Sequence, residues 1–139
     1  MILMIQIITG KVGEGKTKQM ITLAKERFQT IKGHIVYIDS STDHRFDIPH
    51  QIRLVEPTTI PLRPHDFYGF LCGILSSDHD IELIFIDELV KLTQFTLDEI
   101  ASFIEHLQAL STQFHTDFII GTSCSKHEFP PHLEAYLVA

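Results

Sequence analysis

The chain has 139 residues, of which 44% are hydrophobic and 21% charged, and its formal net charge is −7. This composition is typical of a globular protein with a sizeable core, and the length predicts a single domain over residues 1–139. The acidic balance gives no strong signal for nucleic acid and argues against an anionic membrane surface as the main partner.

The first predicted strand is an apolar run at residues 2–9 that leads directly into a glycine-rich segment. The segment reads Gly10-Lys11-Val12-Gly13-Glu14-Gly15-Lys16-Thr17 and fits the phosphate-binding pattern G-x-x-x-x-G-K-[ST] at every fixed position. Its glycines allow successive backbone amides to turn inward around an anion, and the dipole of the following helix strengthens that field. We expect Lys16 to reach the β- and γ-phosphates of a nucleotide and the Thr17 hydroxyl to ligate Mg²⁺.

Helical and strand patterns alternate after this segment. A helix with one apolar face is predicted over residues 16–31, and Gly33 is expected to end it. Residues 34–38 are predicted to form a strand, and residues 52–55 a short edge strand. A proline-rich loop then leads to a helix that begins near Pro64, a residue favoured in the first helical turn.

A buried strand is predicted over residues 82–88, and it ends in the two acids Asp87 and Glu88. An acid at the carboxyl end of a strand beside the glycine-rich segment can hold Mg²⁺ directly or through its waters. A second carboxylate there can polarise a water, or an acceptor hydroxyl, for in-line attack on the γ-phosphate. We therefore expect Asp87 to share the metal with Thr17, and Glu88 to be catalytic together with Lys16.

The last third of the chain completes the α/β pattern. Thr96 and Glu99 form a capping box that opens a helix. Residues 117–121 are predicted to form a strand, and residues 134–138 are compatible with a final one. The alternation predicts a three-layer α/β sandwich, with a mostly parallel five-stranded sheet and helices on both faces.

The glycine-rich segment and the Asp87-Glu88 strand end together resemble the RecA-like, additional-strand catalytic-glutamate (ASCE) division of the P-loop NTPases. In that division the two elements are the Walker A and Walker B motifs, and a further strand between them ends in a polar sensor residue. The resemblance implies that Thr122 or Ser123 is this sensor. No Asn-Lys-x-Asp guanine-binding motif is present, so ATP is expected rather than GTP. The implied nucleotide-binding residues are Gly10, Lys11, Val12, Gly13, Glu14, Gly15, Lys16, Thr17, Lys18 and Thr122.

Three families within this division are similar to parts of the chain. Residues 8–11 and 52–57 resemble the zonula-occludens-toxin and phage assembly ATPases. Residues 43–46 resemble a segment of type II thymidine kinase, although that family's zinc subdomain and lasso loop are not encoded. Residues 85–89 resemble the ATP:corrinoid adenosyltransferases. Lys11 also corresponds to the signature lysine of MinD- and ParA-like ATPases, but Val12 stands where that pattern has glycine.

Several features bear on the setting of the protein. The longest apolar runs have only the length of a strand, so no membrane span is expected. The N-terminus lacks the basic region of a signal peptide. Cys72 and Cys124 lie in separate segments without metal-ligand spacing, which favours a reduced, cytoplasmic environment. The nine histidines are expected to be scattered over the surface, since their tightest pair, His127 and His132, is interrupted by two prolines.

The leading functional expectation is Mg²⁺-dependent ATP binding with slow ATP hydrolysis. No arginine lies in the predicted sensor region, so we expect a protein partner or a second copy of the chain to supply positive charge. Two alternatives remain open. One is phosphoryl or adenosyl transfer to a small acceptor, with residues 40–64 as the candidate lid. The other is a non-hydrolysing, nucleotide-gated binding module.

Overall fold

The computed structural model describes residues 4–10, 15–41, 43–57 and 63–138, and the strands in these residues form one open, fully parallel sheet. The strands are β1 (Ile5–Ile8), β2 (His34–Ile38), β3 (Arg53–Val55), β4 (Ile81–Ile86) and β5 (Asp117–Gly121). Their spatial order is β1-β5-β4-β2-β3. The predicted five-stranded α/β sheet is confirmed, and β3 lies at its edge as expected.

Helices cover both faces of the sheet, which gives the predicted three layers. The helices are α1 (Lys16–Thr30), α2 (Pro64–Ser77), α3 (Leu89–Thr93) and α4 (Leu97–Phe114). Helix α1 packs Met20 and Ala24 against one face, whereas α2 and α4 bury their apolar stripes against the other. The capping box of Thr96 and Glu99 opens α4 as predicted, because each side chain accepts a hydrogen bond from the other residue's backbone N–H.

Strand β4 lies inside the sheet and is buried on both faces. Leu83 and Phe85 pack with α1, while Ile84 and Ile86 pack with α2 and α4. An apolar run of this kind is typical of a parallel strand covered by helices on both sides. The run therefore fixes Asp87, the first polar residue after it, at the carboxyl edge of the sheet.

The position of β5 between β1 and β4 brings the ends of three strands together. Ile120 pairs with Ile7 on one side and with Ile86 on the other. The Thr122 amide donates a hydrogen bond to the Ile8 carbonyl over 3.0 Å, which extends the β1–β5 ladder beyond its last strand residue. The ends of β1, β5 and β4 therefore share one edge of the sheet.

The structure corrects the predicted end of the first helix. Helix α1 ends at Thr30, and Ile31 is already extended. Gly33 is described, but it is not one of the glycines with positive φ, so it does not form a left-handed helix cap. A Cβ at this position would instead collide with the backbone carbonyl of Asp80 and the side chain of Glu82. Glycine is required at position 33 because the backbone just before β2 lies very close to the turn that precedes β4.

The predicted final strand at residues 134–138 is wrong. Residues Lys126–Glu128 and Pro131–Tyr136 form 3₁₀ turns, and only an isolated parallel bridge joins Leu137 to Ile7. Proline has no backbone N–H and fixes φ near the helical value. The pair Pro130-Pro131 therefore favours a tight turn over a strand.

Candidate functional site

The start of α1 lies at the carboxyl edge of the sheet and carries the described end of the glycine-rich segment. Gly15 precedes the helix with φ 86°, and Gly10 has φ 147°. A residue with a Cβ is strained at such angles, so glycine is required at both ends of the segment. The intervening candidates Lys11, Val12, Gly13 and Glu14 lie outside the described residues, and the anion nest expected there stays a prediction.

Lys16 and Glu88 form an ion pair across the site. Lys16 Nζ lies 2.5 Å from Glu88 Oε1, and the two side chains are 5% and 15% exposed. Glu88 precedes α3 with φ 57°, a left-handed conformation that is unfavourable for a residue with a Cβ. Local backbone strain of this kind is concentrated at functional sites. The fold thus holds the two predicted catalytic residues in direct contact.

Asp87 is 1% exposed and accepts a hydrogen bond at each carboxylate oxygen. The Thr17 hydroxyl donates to Oδ1 over 3.4 Å, and the Tyr37 hydroxyl donates to Oδ2 over 2.9 Å. Burial raises the pKa of the Asp87 carboxyl, while the bonds from Tyr37 and Thr17 act in the opposite direction. Thr17 and Asp87, the two residues predicted to share a metal ion, are thus in contact, and the metal itself stays a prediction.

Tyr37 is a buried residue of this site that sequence analysis missed. It lies on β2 beside β4, and its ring stacks on Phe85 with centroids 5.4 Å apart. Burial, followed by the Asp87 charge, raises the pKa of the phenol well above its usual range, so Tyr37 acts as a neutral donor. The tyrosine hydroxyl within an otherwise apolar strand was the signal in the sequence that could have revealed Tyr37. Its hydrogen-bond partner could not be predicted, because that depends on which strands are neighbours in the sheet.

Asp39 is a second buried carboxylate at the same edge, and it was also missed. It is 5% exposed and follows β2 as Asp87 follows β4. Its Oδ1 accepts a hydrogen bond from the Ser40 amide over 2.7 Å, whereas Oδ2 has no hydrogen-bond partner in the described part of the chain. Burial, and then the neighbouring Asp87 charge, raise the pKa of the Asp39 carboxyl. An acid directly after an apolar strand was the signal that could have revealed it.

A cavity of about 680 Å³ opens beside these residues. This volume lies in the range of small-molecule sites. Lysine side chains from α1 and α3 contribute to its wall, which suits an anionic ligand. The described lining residues are Gly15, Lys16, Thr17, Lys18, Ile21, Thr22, Lys25, His44, Asp47, Glu88 and Lys91.

Thr122, one of the two predicted sensor residues, is fully buried after β5. Its hydroxyl accepts a hydrogen bond from the Cys124 amide over 3.0 Å. It is not among the described residues that line the cavity, whereas Lys18 is. The structure thus brings Lys16, Thr17 and Lys18 to the cavity wall and leaves Thr122 outside it.

The oxygen atoms of Thr17 and Asp87 are suited to a hard divalent cation. Mg²⁺ binds oxygen ligands at about 2.1 Å in octahedral geometry, so two adjacent ligands lie about 3 Å apart. The 3.4 Å between Thr17 Oγ1 and Asp87 Oδ1 is close to that spacing. The residues present therefore fit Mg²⁺.

A different side-chain cluster lies at the opposite edge of the sheet. One ligand atom from each of His34, Asp78 and Asp80 lies within 4.8 Å of the others, and His34 Nδ1 lies 2.6 Å from Asp78 Oδ2. His34 begins β2, and the two acids precede β4. His34 is exposed, as expected of a surface histidine, and this cluster takes no part in the candidate site.

Comparison with known proteins leaves the chain without an assigned family. No model of a protein family matches the sequence, and no curated protein matches it. Among the helices in the described ranges, none combines the length and apolar character needed to cross a bilayer.

Proposed function

We propose that this protein binds ATP with Mg²⁺ and hydrolyses it slowly, as a member of the RecA-like division of P-loop NTPases. One observation carries the proposal: Lys16 and Thr17, at the start of α1, contact Glu88 and Asp87, which follow β4. A phosphate-binding lysine and a hydroxyl thus meet two carboxylates beside a ligand-sized cavity. The strand order, with β5 between β1 and β4, agrees with that division.

Phosphate binding follows from the position of Lys16. Its ammonium is buried at the start of a helix, where backbone N–H groups and the helix dipole also favour an anion. Its charge is balanced by Glu88. A triphosphate would compete for this ammonium, and the lysines at the cavity wall would add to the attraction.

Thr17 and Asp87 are the proposed holders of Mg²⁺. When bound, Mg²⁺ would neutralise negative charge on the phosphates. Tyr37 orients Asp87 by its hydrogen bond to Oδ2, which leaves Oδ1 directed to Thr17. The tyrosine thereby fixes the carboxylate in the direction that metal binding needs.

Glu88 is the proposed group that orients water. Once Lys16 engages phosphate, the Glu88 carboxylate is available to accept a hydrogen bond from a water in the cavity. No arginine belongs to the described cavity lining, so the charge that develops during phosphoryl transfer is only partly balanced by this chain. We propose that a protein partner or a second copy supplies it, in a cytoplasmic setting.

A second candidate function is phosphoryl transfer to a small acceptor. A further cavity of about 590 Å³ adjoins the first, because Lys25 and Asp47 line both. Phe46 at its wall is 86% exposed and could contact an acceptor. Acceptor-dependent ATP consumption would favour transfer, and acceptor-independent phosphate release would favour hydrolysis.

Titration calorimetry with ATP and Mg²⁺ tests the proposal directly. We expect Lys16→Ala to weaken ATP binding by about 100-fold or more, because a charge-assisted contact to phosphate is lost. Lys32→Ala removes an exposed lysine beyond α1 and should bind ATP as the wild type does. Equal affinity of the wild type and Lys16→Ala, or no binding by either, would refute the proposal.

A further inference from the structure

Asp39 and Asp87 occupy adjacent positions on neighbouring strands. Ile38 and Ile86 are register partners in the parallel pair of β2 and β4, and each is followed by an aspartate. The Asp87 amide donates to the Ile38 carbonyl over 2.8 Å, and the Asp39 amide donates to the Val55 carbonyl over 3.1 Å. The ladder therefore continues past both strand ends and holds the two acids side by side.

The two carboxylates are satisfied unequally. Each oxygen of Asp87 accepts a hydrogen bond, whereas Asp39 Oδ2, although buried, has no partner within residues 4–10, 15–41, 43–57 and 63–138. A buried carboxylate oxygen without a donor is unfavourable, and a second carboxylate next to it increases the cost. The Lys16 ammonium at the same edge of the sheet already pairs with Glu88. Among the described residues, Asp39 Oδ2 therefore has no donor that compensates for its burial.

We propose that Asp39 is a positioning residue for the divalent cation, and that its Oδ2 accepts a hydrogen bond from the hydration shell of a cation held by Asp87 and Thr17. The inference rests on the proposed function and adds a residue to its cation site. Mg²⁺ gives up its waters reluctantly and is commonly bound by only one or two carboxylates directly. A neighbouring carboxylate that accepts hydrogen bonds from those waters satisfies both the waters and its own buried oxygen.

The proposal distinguishes Asp39 from a residue that only supports the fold. If Asp39 served only structure, its removal would lower stability with and without metal and leave cation affinity unchanged. If it serves the cation, Asp39→Asn removes an unfavourable buried charge, so the metal-free protein keeps or gains stability while cation affinity falls. Asparagine preserves the shape and the acceptor for the Ser40 amide.

The test measures Mn²⁺ binding by electron paramagnetic resonance, with and without ATP, and thermal unfolding with and without Mg²⁺. We expect Asp39→Asn to lose about 10- to 100-fold in cation affinity, the usual effect of removing an outer-shell partner. Its melting temperature without metal should equal or exceed that of the wild type. Asp39→Ser, with a smaller side chain, should show the same loss of cation affinity. Asp43→Asn removes an exposed carboxylate of the same loop and should behave as the wild type.

Unchanged Mn²⁺ affinity in Asp39→Asn and Asp39→Ser would overturn the inference. ATP binding in the presence of EDTA separates this result from failure of the proposed function. If the wild type binds ATP and Mn²⁺ but substitution of Asp39 leaves the Mn²⁺ affinity unchanged, only the role of Asp39 is refuted. If Mn²⁺ binding depends on Asp39 and Asp87 but ATP does not bind, the cation site stands and the nucleotide function fails. Absence of Mn²⁺ binding in the wild type refutes the role of Asp39 whatever ATP does.

Discussion

Lys16 Nζ and Glu88 Oε1 lie 2.5 Å apart, so the two groups with proposed catalytic roles neutralise each other. The Lys16 side chain is buried, that of Glu88 is 15% exposed, and Glu88 has a left-handed backbone conformation at the point of contact. A phosphate bound at Lys16, as proposed, would compete with Glu88 for the ammonium. The proposed function therefore implies a coupling, in which phosphate binding weakens the pair of Lys16 and Glu88 and frees the Glu88 carboxylate.

This coupling predicts opposite effects of Glu88→Gln on binding and turnover. The variant removes the charge that competes for Lys16, so ATP affinity should rise by about three- to tenfold. Turnover should fall by about 100-fold or more, because the group that orients water is lost. Calorimetry and phosphate-release assays measure the two effects, with Glu26→Gln on the exposed side of α1 as the control. Full turnover in Glu88→Gln, while Lys16→Ala is inactive, would refute the catalytic role of Glu88.

Tyr37→Phe isolates the hydrogen bond from Tyr37 to Asp87. Phenylalanine keeps the ring stack on Phe85 but leaves a buried carboxylate oxygen without its donor. The free energy of unfolding should fall by about 1–3 kcal/mol, as is usual when a buried acceptor loses its partner. Urea unfolding measures the change. Tyr136→Phe, on the half-buried C-terminal turn, should unfold as the wild type does. Similar losses in both variants would contradict the special role of Tyr37.

Local sequence patterns are sufficient to predict the elements that carry the site. The apolar run of β4 requires burial on both faces, so the first acids after it, Asp87 and Glu88, have to emerge at the edge of the sheet. The capping box of Thr96 and Glu99 lies within four residues and depends on no distant contact. Each of these predictions depends only on residues that are close together in the sequence.

Contacts between distant strands could not be predicted in the same way. Tyr37 and Asp39 join the site only because β2 lies next to β4, and strand order depends on the packing of the whole domain. The final strand was mispredicted because residues 134–138 have a strand-like composition, whereas Pro130 and Pro131 set the local backbone. Gly33 was assigned to a helix cap because its close contact with Asp80 is 47 residues away in the sequence.

The close approach at Gly33 predicts a large difference between two glycine-to-alanine substitutions. Gly33→Ala places a methyl group against the Asp80 carbonyl, a backbone atom that cannot rotate away. We expect a loss of about 1–3 kcal/mol in the free energy of unfolding. In Gly69→Ala the added Cβ meets no described atom within 4 Å, and α2 should gain about 0.5–1 kcal/mol. Chemical denaturation of both variants measures the difference, and equal effects would contradict the predicted collision.

The ion pair of His34 and Asp78 predicts a pH dependence of stability that is independent of the nucleotide site. The hydrogen bond to Asp78 raises the pKa of His34 above 6.5, and the same bond lowers the pKa of Asp78 below 3.8. The contribution of His34 to stability is therefore complete below pH 6.5 and is lost as the pH rises through the folded pKa of His34. The contribution of Asp78 is complete above pH 3.8 and is lost as the pH falls through the folded pKa of Asp78. His34→Gln should consequently destabilise the protein more at about pH 5.5 than at about pH 9, and the exposed His79→Gln should not show this difference. Urea unfolding at both pH values tests the effect, and NMR titration of His34 tests its cause, since a pKa at or below 6.5 would contradict the pairing.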